Sequence, residues 1–221
     1  MRERIRHWRE IRFNNDRIRY NERQKFIWQT FDFIKESHVT GSYFEFGCHK
    51  AITFRMALAE AHRRGIDWMD FYAFDSFEGL PSTSPIDYFP QWKAGALATS
   101  EERFLDLVRR QGKLADKVRT VKGFYKDTLT PRFRDSFVAE GRKIAIAFVD
   151  CDLYESTVQV LDFIDPLLQK GSVIYFDDYY LFAGDPGRGE QRAFAEYQNR
   201  TTHRFNPHLQ VGWFGRSFIV Y

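Results

Sequence analysis

Beyond Gly41, short apolar runs alternate with helical segments, and this alternation constrains the fold more than any other feature of the chain. The strand-like runs lie at 43–46, 71–74, 118–121, 144–149, 173–176 and 218–221. Helical periodicity lies between them, near 51–64, 100–111, 155–168 and 190–199. Strands separated by helices predict an α/β fold with a mostly parallel sheet and helices on both of its faces.

Polar residues follow directly after most of these predicted strands. In open parallel sheets, ligands bind beyond the carboxyl ends of the strands, so these positions are candidates for a functional site. The segments concerned are Glu45-Phe46-Gly47, Asp75-Ser76-Phe77, Gly123-Phe124, Asp150-Cys151-Asp152 and Asp177-Asp178.

Two of these segments bring several carboxylates together. The strand that ends at Asp150 and Asp152 and the strand that ends at Asp177 and Asp178 are joined by one helix, so we expect them to be neighbours about 5 Å apart. Like charges at that distance raise each other's pKa unless a cation neutralises them. Oxygen ligands without a Cys or His cluster suit Mg²⁺, Ca²⁺ or Mn²⁺. The alternative is that the acids cap the following helices, but the cost of desolvating grouped charges favours a metal site.

The first two strands point to a nucleoside cofactor. Neither Gly-x-Gly-x-x-Gly nor a phosphate-binding loop occurs after Glu45 and Gly47, so a triphosphate or a dinucleotide lacks its usual cradle. Asp75 follows about 30 residues later, where an acid typically hydrogen-bonds a ribose diol. A ribose without phosphates indicates an adenosine-type cofactor.

Residues 1–40 form a separate feature, which we interpret as a basic, amphipathic helical arm before a domain at 41–221. The segment 1–24 contains eight arginines and four acids, whereas the whole chain carries a formal charge of +3. Apolar residues at Ile5, Trp8, Ile11 and Ile18 favour packing on the domain or on a second subunit, in a homo-oligomer, over binding nucleic acid.

The composition indicates a cytoplasmic protein without a membrane segment. The richest apolar stretch, 143–149, is far shorter than the roughly 20 residues that span a bilayer. The N-terminal residues lack the apolar core of a signal peptide. The two cysteines, Cys48 and Cys151, are expected to be reduced thiols.

A set of motifs resembles the macrocin O-methyltransferase family over residues 41–197. The motifs are Glu45-x-Gly47, Asp75-Ser76-Phe77-Glu78-Gly79-Leu80-Pro81, Lys122-Gly123-Phe124 with Asp127-Thr128-Leu129, Asp150-x-Asp152-Leu153-Tyr154-Glu155-Ser156-Thr157 and Asp177-Asp178-Tyr179. The chain differs from the family pattern at His49-Lys50-Ala51, where Gly-rich sequence is usual.

The resemblance implies a Rossmann-like class I methyltransferase with a seven-stranded sheet, S-adenosylmethionine as cofactor, and a hydroxyl on a sugar or a glycosylated natural product as acceptor. It also implies the site residues. Glu45, Gly47, Asp75, Ser76, Phe77, Gly123 and Phe124 would bind the cofactor, Asp150, Asp177 and Asp178 would bind Mg²⁺, and Asp150 would act as the catalytic base.

Two other functions stay open at this point. Asp150-Cys151-Asp152 is the Asp-x-Asp of many metal-dependent glycosyltransferases, and a degenerate methyltransferase fold could serve as a binding module through its arm. Residues 78–99 are predicted to form a lid, in which Tyr88, Phe89 and Trp92 either stack on a sugar or pack the lid shut. His49 is either a substrate contact or a surface residue.

Overall fold

The computed structural model describes residues 2–82, 85–89 and 92–221, with side chains from Ile11 onward. Its seven-stranded sheet has the order β3-β2-β1-β4-β5-β7-β6. The strands are β1 (Ser42–Phe46), β2 (Phe71–Asp75), β3 (Val118–Lys122), β4 (Ile144–Val149), β5 (Val173–Phe176), β6 (Phe205–Val211) and β7 (Gly215–Val220). The first five are parallel to one another, whereas β7 is antiparallel to both of its neighbours. The structure confirms the predicted α/β fold.

Seven α-helices cover the sheet in the described part of the chain. They are α1 (Arg2–Glu36), α2 (Ile52–Arg63), α3 (Glu101–Gln111), α4 (Tyr125–Thr128), α5 (Pro131–Ala139), α6 (Tyr154–Ile164) and α7 (Gly189–Gln198). Several begin and end at residues that favour such boundaries. The hydroxyl of Ser100 accepts a hydrogen bond from the Arg103 amide at the start of α3, and Gly112 ends that helix in the left-handed conformation.

The core has two layers, one on each face of the sheet. Successive residues of β1 point to opposite faces, so Tyr43 packs in the layer that contains α1, α2 and α3, whereas Phe44 and Phe46 pack in the layer that contains α5, α6 and α7. The strands β4 and β5 are buried along their whole length, as expected for the centre of a sheet that is covered on both faces.

The helix α1 is one continuous element, and its two halves differ in environment. Phe26, Ile27, Phe31 and Ile34 are buried in the core at helical spacing. Between positions 11 and 22 nearly every side chain is exposed. The predicted arm at 1–40 therefore shares the core of the domain through its second half, and the side chains of Ile5 and Trp8 lie outside the described residues.

Among the described strands and α-helices, sequence reasoning missed β6, α4 and α5. The strand β6 contains Pro207 and few apolar residues because it is the edge of the sheet and pairs only with β7. The helix α5 had a readable start, since the Thr130 hydroxyl accepts from the Phe133 amide and Pro131 stands at the first helical position. Among the described residues, no helix is long and apolar enough to cross a membrane.

Candidate active site

A cavity of about 1180 Å³ opens at the carboxyl edge of the sheet. β1 and β4 are neighbours, and the chain proceeds from them in opposite directions, so the cavity lies at the topological switch point where such sheets bind ligands. Residues at the carboxyl ends of all five parallel strands line it: Gly47, Asp75, Gly123, Asp150 and Asp177. Parts of the segment 78–99 and of α1 also line the cavity.

Gly47 allows the loops after β1 and β4 to approach each other closely. Its φ is +87°, and a Cβ atom there would lie 1.8 Å from the carbonyl oxygen of Asp150. The Asp150 amide donates to the carbonyl of Phe46 at 2.8 Å, which continues the sheet pairing up to the cavity. Only glycine fits this junction, so the loop conformation at the centre of the site depends on it.

Asp75 holds the loop after β1 in place. One of its carboxylate oxygens accepts from the amides of Cys48 and His49 at 2.7 and 3.1 Å, and the other accepts from the amide of Phe77 at 2.7 Å. A carboxylate has about four acceptor positions. Three are used by the protein, which leaves about one for a ligand in the cavity.

Glu45 lies behind the wall of the cavity and is fully buried. Its carboxyl group accepts hydrogen bonds from the hydroxyl groups of Tyr43 and Thr53, the latter at 2.7 Å. Burial raises the pKa of Glu45 to about 8, although both hydrogen bonds lower it. Thr53 lines the cavity. Glu45 therefore affects the site indirectly, by holding the Thr53 hydroxyl in place.

Of the other predicted cofactor residues, three line the cavity and one packs in the core. Ser76, Gly123 and Phe124 line the cavity, and the Ser76 hydroxyl donates to the Gly79 carbonyl at 2.7 Å. The side chain of Phe77 instead packs in the core, 5.5 Å from the ring of Phe104. The cofactor roles of all these residues stay predictions.

His49 and Ala51 adopt left-handed backbone conformations, with φ of 32° and 56°. They stand where Gly-rich sequence is usual in the resembling family, and a non-glycine residue in this region costs about 1 kcal/mol. The His49 ring lies 3.0 Å from the hydroxyl of Thr99, at the end of the lid segment. Burial lowers the pKa of His49, so a neutral imidazole joins the loop to the lid.

Asp150, Asp177 and Asp178 form an acidic cluster. One carboxylate oxygen from each lies within 4.8 Å of the others. Burial and the neighbouring Asp177 raise the pKa of Asp150 well above its usual range. Three carboxylates at this spacing are suitable ligands for a hard divalent cation.

Arg23 of α1 pairs with this cluster. Its Nε donates to Oδ1 of Asp177 at 2.9 Å, its Nη2 donates to Oδ2 of the same carboxylate, and Nη2 lies 3.8 Å from Oδ2 of Asp150. Burial would lower the pKa of Arg23, but Asp177 and Asp150 raise it above its ordinary value. The tyrosine hydroxyl of Tyr175 also donates to Asp177, at 2.7 Å.

Two further acids surround the cluster. Burial and the neighbouring Asp150 raise the pKa of Asp152 to about 8, and burial and Asp152 raise the pKa of Asp178 well above its usual range. Glu190 of α7 accepts from the amide of Asp178 at 2.9 Å and is 1% exposed. Burial and Asp178 raise the pKa of Glu190 well above its usual range.

The alternative that the strand-end acids cap helices does not fit the helix after β4. The first amides of α6, those of Tyr154 and Glu155, donate instead to the carboxylate of Asp87 at 2.7 and 3.5 Å. Asp87 belongs to the lid and is 1% exposed. Asp150 and Asp152 are thereby left to face the cavity.

Several contacts fix the segment 78–99, the predicted lid, beside the cavity, although its residues 83, 84, 90 and 91 lie outside the described residues. Arg188 donates to the carbonyl of Tyr88 at 2.9 Å. The rings of Phe89 and Trp92 lie 4.9 Å apart, and both contact Phe182 edge to face. Both also line the cavity, so these two aromatic rings pack the lid and face the site together, whereas Tyr88 is exposed.

Sequence reasoning did not identify Arg23, Asp87, Tyr175 or Glu190 as site residues. Arg23 is one of eight arginines in the first 24 residues, and nothing in the local pattern distinguishes it. Asp87 gave no readable signal, because its burial, and therefore its need for a partner, is a property of the fold. Identifying that partner required the three-dimensional structure.

The sequence is similar to a known family and to characterised members of it. The family model described as Macrocin-O-methyltransferase (TylF) matches residues 19–215. The 8-demethyl-8-(2,3-dimethoxy-alpha-L-rhamnosyl)-tetracenomycin-C 4'-O-methyltransferase of Streptomyces olivaceus is 32% identical over 136 residues, which cover 59% of this chain and 49% of the relative. The demethyldecarbamoylnovobiocin O-methyltransferase of Streptomyces niveus is 32% identical over 113 residues, 48% of this chain and 40% of the relative. The chain thus spans about half the length of the curated relatives it matches.

Solved structures show the same fold. The O-methyltransferase NovP superposes with a TM-score of 0.72 at 22% identity, over 90% of this chain and 79% of that one. The calicheamicin methyltransferase CalS11 superposes with a TM-score of 0.74 at 21% identity, over 90% of this chain and 78% of that one. The fold is therefore that of the class I methyltransferases, and because the family model matches nearly the whole chain, the chain belongs to the macrocin O-methyltransferase family.

Proposed function

We propose that the chain is an S-adenosylmethionine-dependent O-methyltransferase that methylates a hydroxyl group of a sugar or a glycosylated natural product. We further propose that Asp150, Asp177 and Asp178 hold a divalent cation such as Mg²⁺. The observation that carries the proposal is that one cavity contains both the Gly47 and Asp75 side, suited to a nucleoside, and the three-aspartate cluster. Family membership favours this activity over the glycosyltransferase that Asp-x-Asp left open.

The cofactor would lie along the ends of β1, β2 and β3. Asp75 has about one acceptor position left for a ribose hydroxyl, as counted above. Gly123 and Phe124 border the same side of the cavity, where an aromatic ring can contact an adenine base. Bound there, the cofactor supplies an electrophilic methyl group on a sulfonium.

In the proposed reaction the carbon–sulfur bond breaks as a bond forms between the methyl carbon and the acceptor oxygen. The products are a methyl ether and S-adenosylhomocysteine, and Asp150 takes the hydroxyl proton as general base. A cation on the three aspartates would bind the acceptor oxygens and lower the pKa of the hydroxyl. Alignment of donor and acceptor by the cavity and the lid contributes several kcal/mol by itself.

Donor binding is the first test. We expect S-adenosylhomocysteine to raise the melting temperature of the protein, and uridine and guanosine diphosphate to leave it unchanged, because a ligand that binds only the folded state stabilises it. Stabilisation by a nucleoside diphosphate without stabilisation by S-adenosylhomocysteine would favour a glycosyltransferase. Binding of neither S-adenosylmethionine nor a divalent ion would favour a binding module.

The metal and base roles need variants. We expect Asp150→Asn and Asp177→Asn to abolish methyl transfer from labelled S-adenosylmethionine to a panel of glycosides, with rhamnosides included because of the name of the Streptomyces olivaceus relative. Calorimetry should show that both variants still bind S-adenosylhomocysteine. Asp135→Asn on the exposed face of α5 is the control. Full activity in excess chelator would exclude the proposed metal role.

We also propose that the arm supports a homo-oligomer. Ile11 and Ile18 are exposed and lie seven residues apart, on one face of α1. We expect light scattering to report a dimer or larger species for the chain, and a smaller mass for the double variant Ile11→Glu and Ile18→Glu. An unchanged mass would exclude the arm as the interface.

A further inference from the structure

Arg23 engages both oxygens of one proposed cation ligand. Its Nε and Nη2 donate to Oδ1 and Oδ2 of Asp177, and Nη2 also approaches Oδ2 of Asp150 at 3.8 Å. Paired arrangements of this kind between guanidinium and carboxylate are stronger and more directional than single hydrogen bonds. The guanidinium therefore lies on the side of Asp177 that faces Asp150, which is the side a shared cation would use.

The surrounding residues fix Arg23 in this position. Phe26, one turn further along α1, is fully buried and stacks on the ring of Tyr175 with centroids 4.4 Å apart. The hydroxyl of Tyr175 donates to the same Asp177 oxygen that accepts from Arg23 Nε. Arg23 thus stands at the point where the anchored half of α1 ends, next to the largely exposed segment 11–22.

The same face of α1 borders the cavity. Asp16, Arg19, Tyr20 and Arg23 line it, and their spacing of three and four residues places them on one side of the helix. Loss of the Arg23–Asp177 pair would remove a contact that links this face to the aspartate cluster. The position of the helix and the charge of the aspartate cluster are therefore linked through one side chain.

We propose that Arg23 is an intramolecular counter-ion that occupies the position of the divalent cation, so that cation binding requires Arg23 to withdraw from Asp177. This inference rests on the proposed cation site. Asp177 cannot offer the same lone pairs to a guanidinium and to a divalent ion, and two cations at one carboxylate repel each other. Arg23 thereby lowers the affinity for the ion, and binding of the ion releases the 16–23 face of α1 from the aspartate cluster.

The direct test is Mn²⁺ binding, measured by calorimetry on the wild-type chain, Arg23→Gln and Arg19→Gln. Arg19 is the matched control because it lies one turn away on the same face of α1 and carries the same charge. We expect Arg23→Gln to bind Mn²⁺ about tenfold or more tightly than Arg19→Gln, since a hydrogen bond to a charged group is worth about a factor of ten or more. Arg19→Gln should show only the smaller gain that comes from removing a nearby positive charge.

A second measurement uses the unaltered protein. We expect Mn²⁺ to accelerate hydrogen exchange of the backbone amides in the segment 16–23 of the wild-type chain, while the amides of 26–34 stay protected by the core. Faster exchange confined to 16–23 supports the withdrawal of Arg23. Mn²⁺ binding without any change in that segment overturns it.

The outcomes separate this inference from the function on which it rests. Equal Mn²⁺ affinity of Arg23→Gln and Arg19→Gln overturns the counter-ion role and leaves the cation site standing. Absence of Mn²⁺ binding in all three proteins overturns both the cation site and the role of Arg23. Tighter binding by Arg23→Gln together with faster exchange in the wild-type chain supports both.

Discussion

Asp87 connects the lid to the helix that follows the Asp150 loop, and its substitution by Ala should destabilise the protein. Its carboxylate accepts from the amides of Tyr154 and Glu155 at 2.7 and 3.5 Å, so it serves as an N-cap of α6 supplied from about 67 residues earlier in the chain. Loss of an N-cap side chain costs about 1 kcal/mol. The negative charge at the helix N-terminus adds about 0.3–1 kcal/mol.

Burial of the Asp87 carboxylate opposes this stabilisation. It raises the pKa of Asp87, which means that desolvation of the charged carboxylate offsets part of what the hydrogen bonds contribute. We therefore expect Asp87→Ala to lower the free energy of unfolding by about 1–2 kcal/mol, which includes two helix amides left without their acceptor. Asp87→Asn keeps one acceptor oxygen and avoids burying a charge, so about 1 kcal/mol or less should be lost.

Urea denaturation followed by circular dichroism measures these differences, and Glu78→Ala, an exposed acid of the same lid, is the control. The control should stay within about 0.5 kcal/mol of the wild-type chain. Limited proteolysis should also cut the lid of Asp87→Ala faster than that of Asp87→Asn. A loss for Asp87→Ala no larger than that of the control would refute the capping role.

Three further predictions follow from the core and the loops. Phe26→Ala should cost about 3–5 kcal/mol, because it removes a fully buried ring that stacks on Tyr175, whereas the exposed Trp213→Ala should cost less than about 0.5 kcal/mol in the same denaturation assay. Gly47→Ala should lower the free energy of unfolding more than Gly112→Ala, although their φ angles of +87° and +80° are similar, because of the two sites only Gly47 has a backbone oxygen where the Cβ would lie. We expect a loss of about 1 kcal/mol for Gly112→Ala and of at least about 3 kcal/mol for Gly47→Ala. Equal losses would contradict the steric argument. The folded chain holds an extra proton on Glu45 between its unfolded pKa of about 4.3 and its folded pKa of about 8. The free energy of unfolding should therefore fall as pH rises through that window, and it should fall less steeply in Glu45→Gln. If the two proteins gave parallel curves of unfolding free energy against pH from about pH 5 to 8, Glu45 would not be the group responsible.

Local patterns predicted the parallel core of the sheet and much of the site. The runs that became β1, β2, β4 and β5 are largely apolar because these strands are buried on both faces, whereas β3 lies at the edge of the sheet and is partly exposed. The acids at the carboxyl ends of the strands then reach the ligand edge by construction of the fold, as Asp75, Asp150 and Asp177 do. The three aspartates were brought together as expected, because their two strands are parallel neighbours.

The edge strand β6 shows where such patterns fail. It pairs on one side only and its residues are mostly partly exposed, so neither an apolar run nor strict alternation is needed for it to form. Glu45 is a related case, because the sequence places it at the end of β1 but does not reveal on which side of the cavity wall its carboxyl group lies. The pleat of the strand decides that, and it directs Glu45 towards Tyr43 and Thr53.

The sequence by itself determined the order of the elements, the strand-end acids and the family motifs, because each depends on residues that are close together in the chain. Only the tertiary structure decided which arginine lies at the aspartate cluster and which acid caps α6. Arg23 and Asp177 are 154 positions apart, and their pairing depends on how Phe26 and its neighbours seat α1 against the sheet. No local periodicity encodes a contact of that kind, since it results from the packing of two elements whose sequences are independent of each other.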